Sequence, residues 1–209
     1  MKKIDQYKNP FDAILEFEEK IAEYTGAPYC ITTDSCTHAI EISFRILHDG
    51  TPVKFPCKTY LSILMNMHKL NIDYELIDIP WKKYYQFEGT NIYDSARHFE
   101  PGMYKSGSVQ CLSFGRTKPL QIGRGGAILT DNKDFYVRAS RMRSDGRDLF
   151  AHELWVEQKE FEIGYHYNLK PEECITGINL IENSNFIEQI DDYYNYPDCR
   201  LINININKN

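Results

Sequence analysis

No stretch of this 209-residue chain is apolar for long enough to cross a bilayer, and Met1-Lys2-Lys3 is not followed by the apolar core of a secretory signal. These two absences give the expectation of a cytoplasmic protein with no membrane-embedded part. Clustered cations are absent as well: 24 Lys and Arg stand against 30 Asp and Glu, giving a net charge of −6 with no basic block. Binding to nucleic acid needs phosphates neutralised by neighbouring cations, so it is not expected. The six cysteines, at 30, 36, 57, 111, 174 and 199, form neither a Cys-x-x-Cys pair nor a zinc spacing. Reduced, mostly buried thiols and no metal site are the expectation. His152-Glu153 has no second histidine four residues on, which excludes a zinc-protease helix. Gly123-Arg124-Gly125-Gly126 precedes a strand instead of opening a helix, so it is no dinucleotide fingerprint, and no P-loop occurs. No internal repeat, low-complexity tract or long linker divides the chain.

An apolar content of 42% is enough for one sizeable core. Phe11, Ile14, Leu15, Phe17, Glu18, Ile21, Ala22 and Tyr24 trace one helical stripe that Gly26-Ala27-Pro28 stops. A strand at 29–33 follows. The pattern then predicts helices over 38–47, 59–70 and 132–142, and strands over 52–56, 73–78, 91–94, 108–113 and 126–130. In the helix over 59–70, Leu61, Leu64, Met65 and Met67 are expected to face inward, and the Tyr-rich stretch from Trp81 to Phe87 reads as a loop. After a weak pattern over 145–155 and a loop at 164–168 comes an apolar helix from Cys174 to Ile181. The tail over 201–207 alternates Ile or Leu with Asn, which predicts a half-buried edge strand or one paired with a partner. Strands alternating with helices predict an α/β fold, with a mainly parallel sheet covered by helices on both faces. Ligands of such sheets lie beyond the carboxyl ends of the strands, where Ser35, Asp94 and Lys118 all arrive.

Those three positions carry the chemistry. Lys118 lies in Ser113-Phe114-Gly115-Arg116-Thr117-Lys118-Pro119-Leu120, on a turn between two short strands and walled by small residues. Such an amine is held for a Schiff base with pyridoxal phosphate (PLP), yet can swing away when an incoming amine displaces it. Asp94 ends the strand Asn91-Ile92-Tyr93-Asp94, where a carboxylate can keep the cofactor's pyridine nitrogen protonated. Ser35, Cys36 and Thr37 open a helix whose free N–H groups suit a phosphate.

Several further motifs fall in order around these. They are Phe17 to Gly26, Thr33 to Ile40, Pro56-Cys57-Lys58-Thr59-Tyr60, Tyr93-Asp94-Ser95-Ala96, Ser113 to Gly126, Arg143-Ser144-Asp145-Gly146 and Gly164-Tyr165-His166-Tyr167. Together they resemble the DegT/StrS-type sugar aminotransferases of the fold-type-I PLP enzymes, over about Phe17 to Ile181. The resemblance implies a fold-type-I large domain over 1–181 and a short extension over 182–209 where the family carries its small domain. It assigns Lys118 to the Schiff base, Asp94 to the pyridine nitrogen, Ser113 with Ser35, Cys36 and Thr37 to the phosphate, and Tyr60 to the face of the ring. Arg97 stands where the family often places glutamine or histidine against the phenolic oxygen, and His98 is displaced by one. His166 stands where the family commonly has an asparagine that reaches the neighbouring subunit's cofactor phosphate, and Asn168 is close enough to substitute. A lysine at 118, where related dehydratases have histidine, implies transamination. The implied partners are an amino-acid donor such as glutamate, a nucleotide-linked keto sugar and a second copy of the chain sharing its active site. The alternative is a PLP-binding or interaction protein of this family without turnover.

Overall fold

The computed structural model describes residues 1–151, 153–184, 186–187 and 193–204. Helix α1 (Asp12–Thr25) buries Ile14, Phe17 and Ile21 on one stripe and ends at Gly26, whose φ of +77° is the left-handed conformation that favours glycine. Strand β1 (Tyr29–Thr33) leads into α2 (Cys36–Leu47), then β2 (Val53–Pro56), α3 (Leu61–Leu70) and β3 (Tyr74–Ile77). After these come β4 (Tyr85–Gln86), β5 (Ile92–Asp94), β6 (Val109–Ser113), β7 (Gly126–Thr130), α4 (Lys133–Arg143) and α5 (Pro171–Glu182). No described helix is long and apolar enough to cross a membrane.

The five-stranded sheet runs β1-β7-β6-β5-β4, and β2 and β3 form a parallel pair. Successive residues of β7 serve opposite layers. Ile128 packs with Ile40, Phe44, Leu64 and Phe135 from the side of α2, α3 and α4, while Ala127 and Leu129 pack with Ile14, Phe17, Ile21 and Ile178 from α1 and α5. Helices therefore cover both faces, as the alternation of elements predicts. The five-stranded sheet is mixed where a mainly parallel one was expected: β5 and β6 run parallel, but β7 lies antiparallel between β1 and β6, and β4 is antiparallel to β5. A parallel return needs a crossover, usually a helix. Residues 114–125, between β6 and β7, form no helix, so the chain comes straight back.

Three local expectations also change. Glu18 shares the buried stripe of α1 as an ion pair, its Oε1 accepting from the Arg143 guanidinium, from Thr32 N (2.7 Å) and from Thr32 Oγ1 (2.8 Å). On α3 the buried positions are Ile63, Leu64, Asn66 and Met67, whereas Leu61, in the first turn, is exposed and Met65 half-buried. The tail keeps its alternation without forming a strand over 202–204: Ile202 and Ile204 pack on the core and Asn203 is exposed. Residues 205–207 of that expected strand lie outside the described residues.

Residues 193–201 return to the end of β2. Tyr193 donates to the Asp78 carboxylate and its hydroxyl lies 3.2 Å from Cys57 Sγ, while Cys199 N donates to Cys57 O at 2.8 Å.

Candidate active site

Asp94 is the last residue of β5, opposite Cys111 of β6 and Tyr85 of β4. Its carboxylate is buried, and both oxygens accept from neutral donors: Oδ1 from Ala96 N at 2.9 Å and Oδ2 from the Tyr85 hydroxyl at 3.0 Å. The same hydroxyl lies 2.7 Å from Thr59 Oγ1, which fixes the ring. Burial pushes the Asp94 carboxyl above its ordinary value; the Ala96 and Tyr85 hydrogen bonds and the positive charges of Lys118 and Arg97 oppose this without cancelling it. The Cys36 thiol is pushed well above its ordinary value by burial and by Asp94, so it is a neutral packing group.

A cavity of about 440 Å³ opens above Asp94, within the range of small-molecule sites. Ser35, Cys36, Thr37, Tyr60, Asp94, Arg97, Ser113 and Lys118 all line it. Helix α2 points its first turn into this space, with Ser35 as the cap accepting from His38 N at 3.2 Å. Close packing holds the helix start against β7. A Cβ added to Gly126 would lie 2.5 Å from Cys36 N and 2.7 Å from Leu112 O, so no side chain fits there. Lys118 N donates to Gly115 O at 3.1 Å, a tight turn that returns the lysine toward Ser113 and the strand ends.

Tyr60 sits at the start of α3 on the cavity rim, 63% exposed. The Arg97 guanidinium donates from Nε to the Tyr196 hydroxyl at 2.8 Å. His98 is not brought into the cavity. A turn in which its N–H donates to Ser95 O sends it the other way, to stack on Tyr84 and approach Glu100 (3.2 Å). Burial lowers its pKa. His166 and Asn168 also stay outside the cavity of their own chain: His166 lies 3.1 Å from the Asp145 carboxylate with its side chain 82% exposed, and Asn168 accepts from Ser144 Oγ at 2.9 Å.

The residues that sequence reasoning missed are those that prepare the site. Tyr85 and Thr59 hold Asp94, while Trp81, Tyr196 and Arg124 complete the wall. Trp81 is fixed by Nε1 donating to Lys58 O (2.9 Å) and lies 5.4 Å from the Tyr196 ring. The one signal for Tyr85 was its place in an aromatic stretch just before a carboxylate-bearing strand. Among the described residues no group of three or more His, Cys, Asp or Glu is arranged to hold a metal.

Residues 2–87 and 102–189 match the family described as DegT/DnrJ/EryC1/StrS aminotransferases. The chain belongs to that family. The match spans well over half of the chain, although Asp94 falls between its two parts and Tyr196 beyond them. The UDP-4-amino-4,6-dideoxy-N-acetyl-beta-L-altrosamine transaminase of Campylobacter jejuni serotype O:2 is 25% identical, over 80% of this chain and 56% of the relative. The chain thus spans about half the length of the curated relatives it matches. Among solved structures, AtS13 from Actinomadura melliaura superposes with a TM-score of 0.68 at 16% identity, over 82% of this chain and 60% of that one. Helicobacter pylori PseC, an aminotransferase of pseudoaminic acid biosynthesis, gives 0.63 at 13% identity, over 88% and 64%. These likenesses show the shared fold.

Proposed function

We propose that this DegT-family chain binds PLP through Lys118 and moves an amino group from an amino-acid donor, glutamate being the expected one, to a keto sugar carried on a nucleotide. The observation that carries the reading is Asp94: a buried carboxylate that accepts from the Tyr85 hydroxyl and Ala96 N, with burial raising its pKa, facing the cavity that Lys118 also lines. A protonated pyridine nitrogen would set a cation against this buried carboxylate, so the residues present fit the cofactor. The close approach of Gly126 to the start of α2 supports the phosphate at Ser35, Cys36, Thr37 and Ser113.

When bound, PLP supplies an electron-withdrawing ring that stabilises negative charge at the substrate's alpha carbon. Lys118 holds the cofactor between turnovers and, once displaced, carries the proton between the alpha carbon and the cofactor's exocyclic carbon. Asp94 keeps the ring nitrogen charged, and Tyr85 with Thr59 keeps Asp94 aimed. Tyr60, on the rim, would pack on the cofactor ring, and Arg97 would hold its phenolic oxygen.

The chain acts in the cytoplasm as a homodimer in which His166 or Asn168 reaches the neighbouring subunit's phosphate. The exposure of His166 supports this, because it leaves the imidazole available to a second copy. Residues 1–181 form the cofactor domain, with 182–209 as its extension.

Absorbance tests the proposal. Purified protein with PLP is expected to show a visible band that borohydride removes, and Lys118→Ala to abolish it. Persistence of the reducible band in that variant sinks the assignment. Adding glutamate is expected to convert the band to that of the aminated cofactor; an unchanged spectrum favours cofactor binding without turnover.

A further inference from the structure

The phosphate end of the cavity has an electrostatic conflict. Asp34, immediately before the cap of α2, lines the same space, and its carboxylate would repel a phosphate held by the helix start. Its two oxygens are held differently. Oδ1 lies 2.5 Å from His38 Nδ1, and the His38 ring is itself stacked on Tyr167 with centroids 3.6 Å apart, so this side is fixed. Oδ2 meets Arg124 Nη2 at 3.3 Å, and the same guanidinium lies 3.8 Å from Glu173. Both separations exceed the 2.7–2.9 Å typical of charge-assisted hydrogen bonds. Arg124 is therefore loosely held between two carboxylates. It is also half-exposed, lines the cavity, and precedes Gly125, which bridges directly to Ser35.

We infer that Arg124 is the cation for the cofactor's phosphate, leaving Asp34 for that dianion when PLP binds while His38 keeps Asp34 in place. This rests on the PLP reading above and deepens it. The other groups at that end, the N–H groups of Cys36 and Thr37 and the hydroxyls of Thr37 and Ser113, are neutral donors. The Arg124 guanidinium, already beside Asp34, carries a charge that offsets both the dianion and Asp34. Arginine suits the exchange because its planar fork binds carboxylate and phosphate in the same geometry.

The test compares PLP with pyridoxal, which has the same ring and aldehyde but no phosphate. Affinities are read by absorbance titration of the protein freed of cofactor. Arg124→Gln is expected to weaken PLP about tenfold or more, the scale of one hydrogen bond between charged groups, and to leave pyridoxal within about twofold. Asp34→Asn is expected to tighten PLP and leave pyridoxal unchanged. Equal PLP affinity in Arg124→Gln and wild type overturns the inference, as does an equal loss for both compounds, which marks a structural role. PLP that is unchanged or weaker in Asp34→Asn overturns the exchange. Wild-type protein that binds neither compound overturns the cofactor reading itself, a failure distinguishable from all of these.

Discussion

Of the three buried carboxylates among the described residues, Glu18, Glu41 and Asp94, the first and last are stabilised in opposite ways. Glu18, on α1, meets the guanidinium of Arg143 from α4 and two donors of Thr32 on β1, so its charge is matched inside the protein. Asp94, at the end of β5, accepts from the neutral Tyr85 hydroxyl and Ala96 N, and burial raises its pKa. The first arrangement is complete without a ligand and ties three elements together. The second faces the cavity, where the charges of Lys118 and Arg97 do not cancel the effect of burial. Both are buried, so what separates them is how far nearby charge offsets that burial.

The largest effect expected from breaking this contrast is on stability. Arg143→Met strands Glu18 in the interior and should cost about 3–5 kcal/mol in urea denaturation, since removing one partner leaves a buried charge uncompensated. Adding Glu18→Gln should recover part of the loss. A cost below about 1 kcal/mol for the single variant would show that Glu18 finds other solvation and that the contrast with Asp94 is false.

Asp94→Asn should do the reverse. The Asp94 pKa is raised in the folded state, so without cofactor its contribution is fully present below the ordinary carboxylate pKa and is lost as pH rises through the elevated one. Near neutral pH the ligand-free variant, which has no such loss, should melt above the wild type. PLP affinity should fall at least about tenfold, or roughly 1.4 kcal/mol, because the amide offers the pyridinium no charge. A ligand-free variant that melts lower would place the role of Asp94 in the fold.

The contrast was half legible in the sequence. Asp94, Ser35 and Ser113 each sit at a strand or helix end, which period and turn chemistry locate, and Lys118 lies in the connection between β6 and β7; the phosphate role of Ser113 came from the family resemblance. Glu18 falls on an apolar stripe by spacing alone. Only its long-range meeting with Arg143 makes it a buried ion pair, and spacing along one helix carries no information about another. Tyr85 was hidden for a related reason: β4 is two residues long, too short for a periodic signal, and exists because it pairs with β5. The direction of β7 was equally hidden, being decided by a connection that contains no helix. His98 failed at the scale of one turn, where a single backbone hydrogen bond to Ser95 turns it from the cavity.

Tyr85→Phe sharpens the comparison on a smaller scale. It removes a donor to Asp94 and leaves Thr59 Oγ1 without that contact, at a cost of about 1–3 kcal/mol in the ligand-free protein. With one lowering influence gone, the Asp94 pKa should rise further, so the PLP complex should weaken at a higher pH than in the wild type. An unchanged pH profile of PLP affinity would mean that Tyr85 packs beside Asp94 without holding it.

The smallest effect on stability is expected for His166→Ala, within about 0.5 kcal/mol, because the side chain is exposed and its one carboxylate contact is at the surface. Its interest lies in the second copy of the chain. If His166 completes a neighbour's phosphate site, the variant should retain its melting temperature yet bind PLP more weakly. Mixing it with Lys118→Ala should then restore tight binding. In a mixed dimer the chain that keeps Lys118 receives its imidazole from the chain that lost the lysine, so one of the two sites is whole. Additive, unrestored binding in the mixture would confine each cofactor to the residues of a single chain, and Asn168→Ala, tested the same way, would decide whether the second candidate crosses instead.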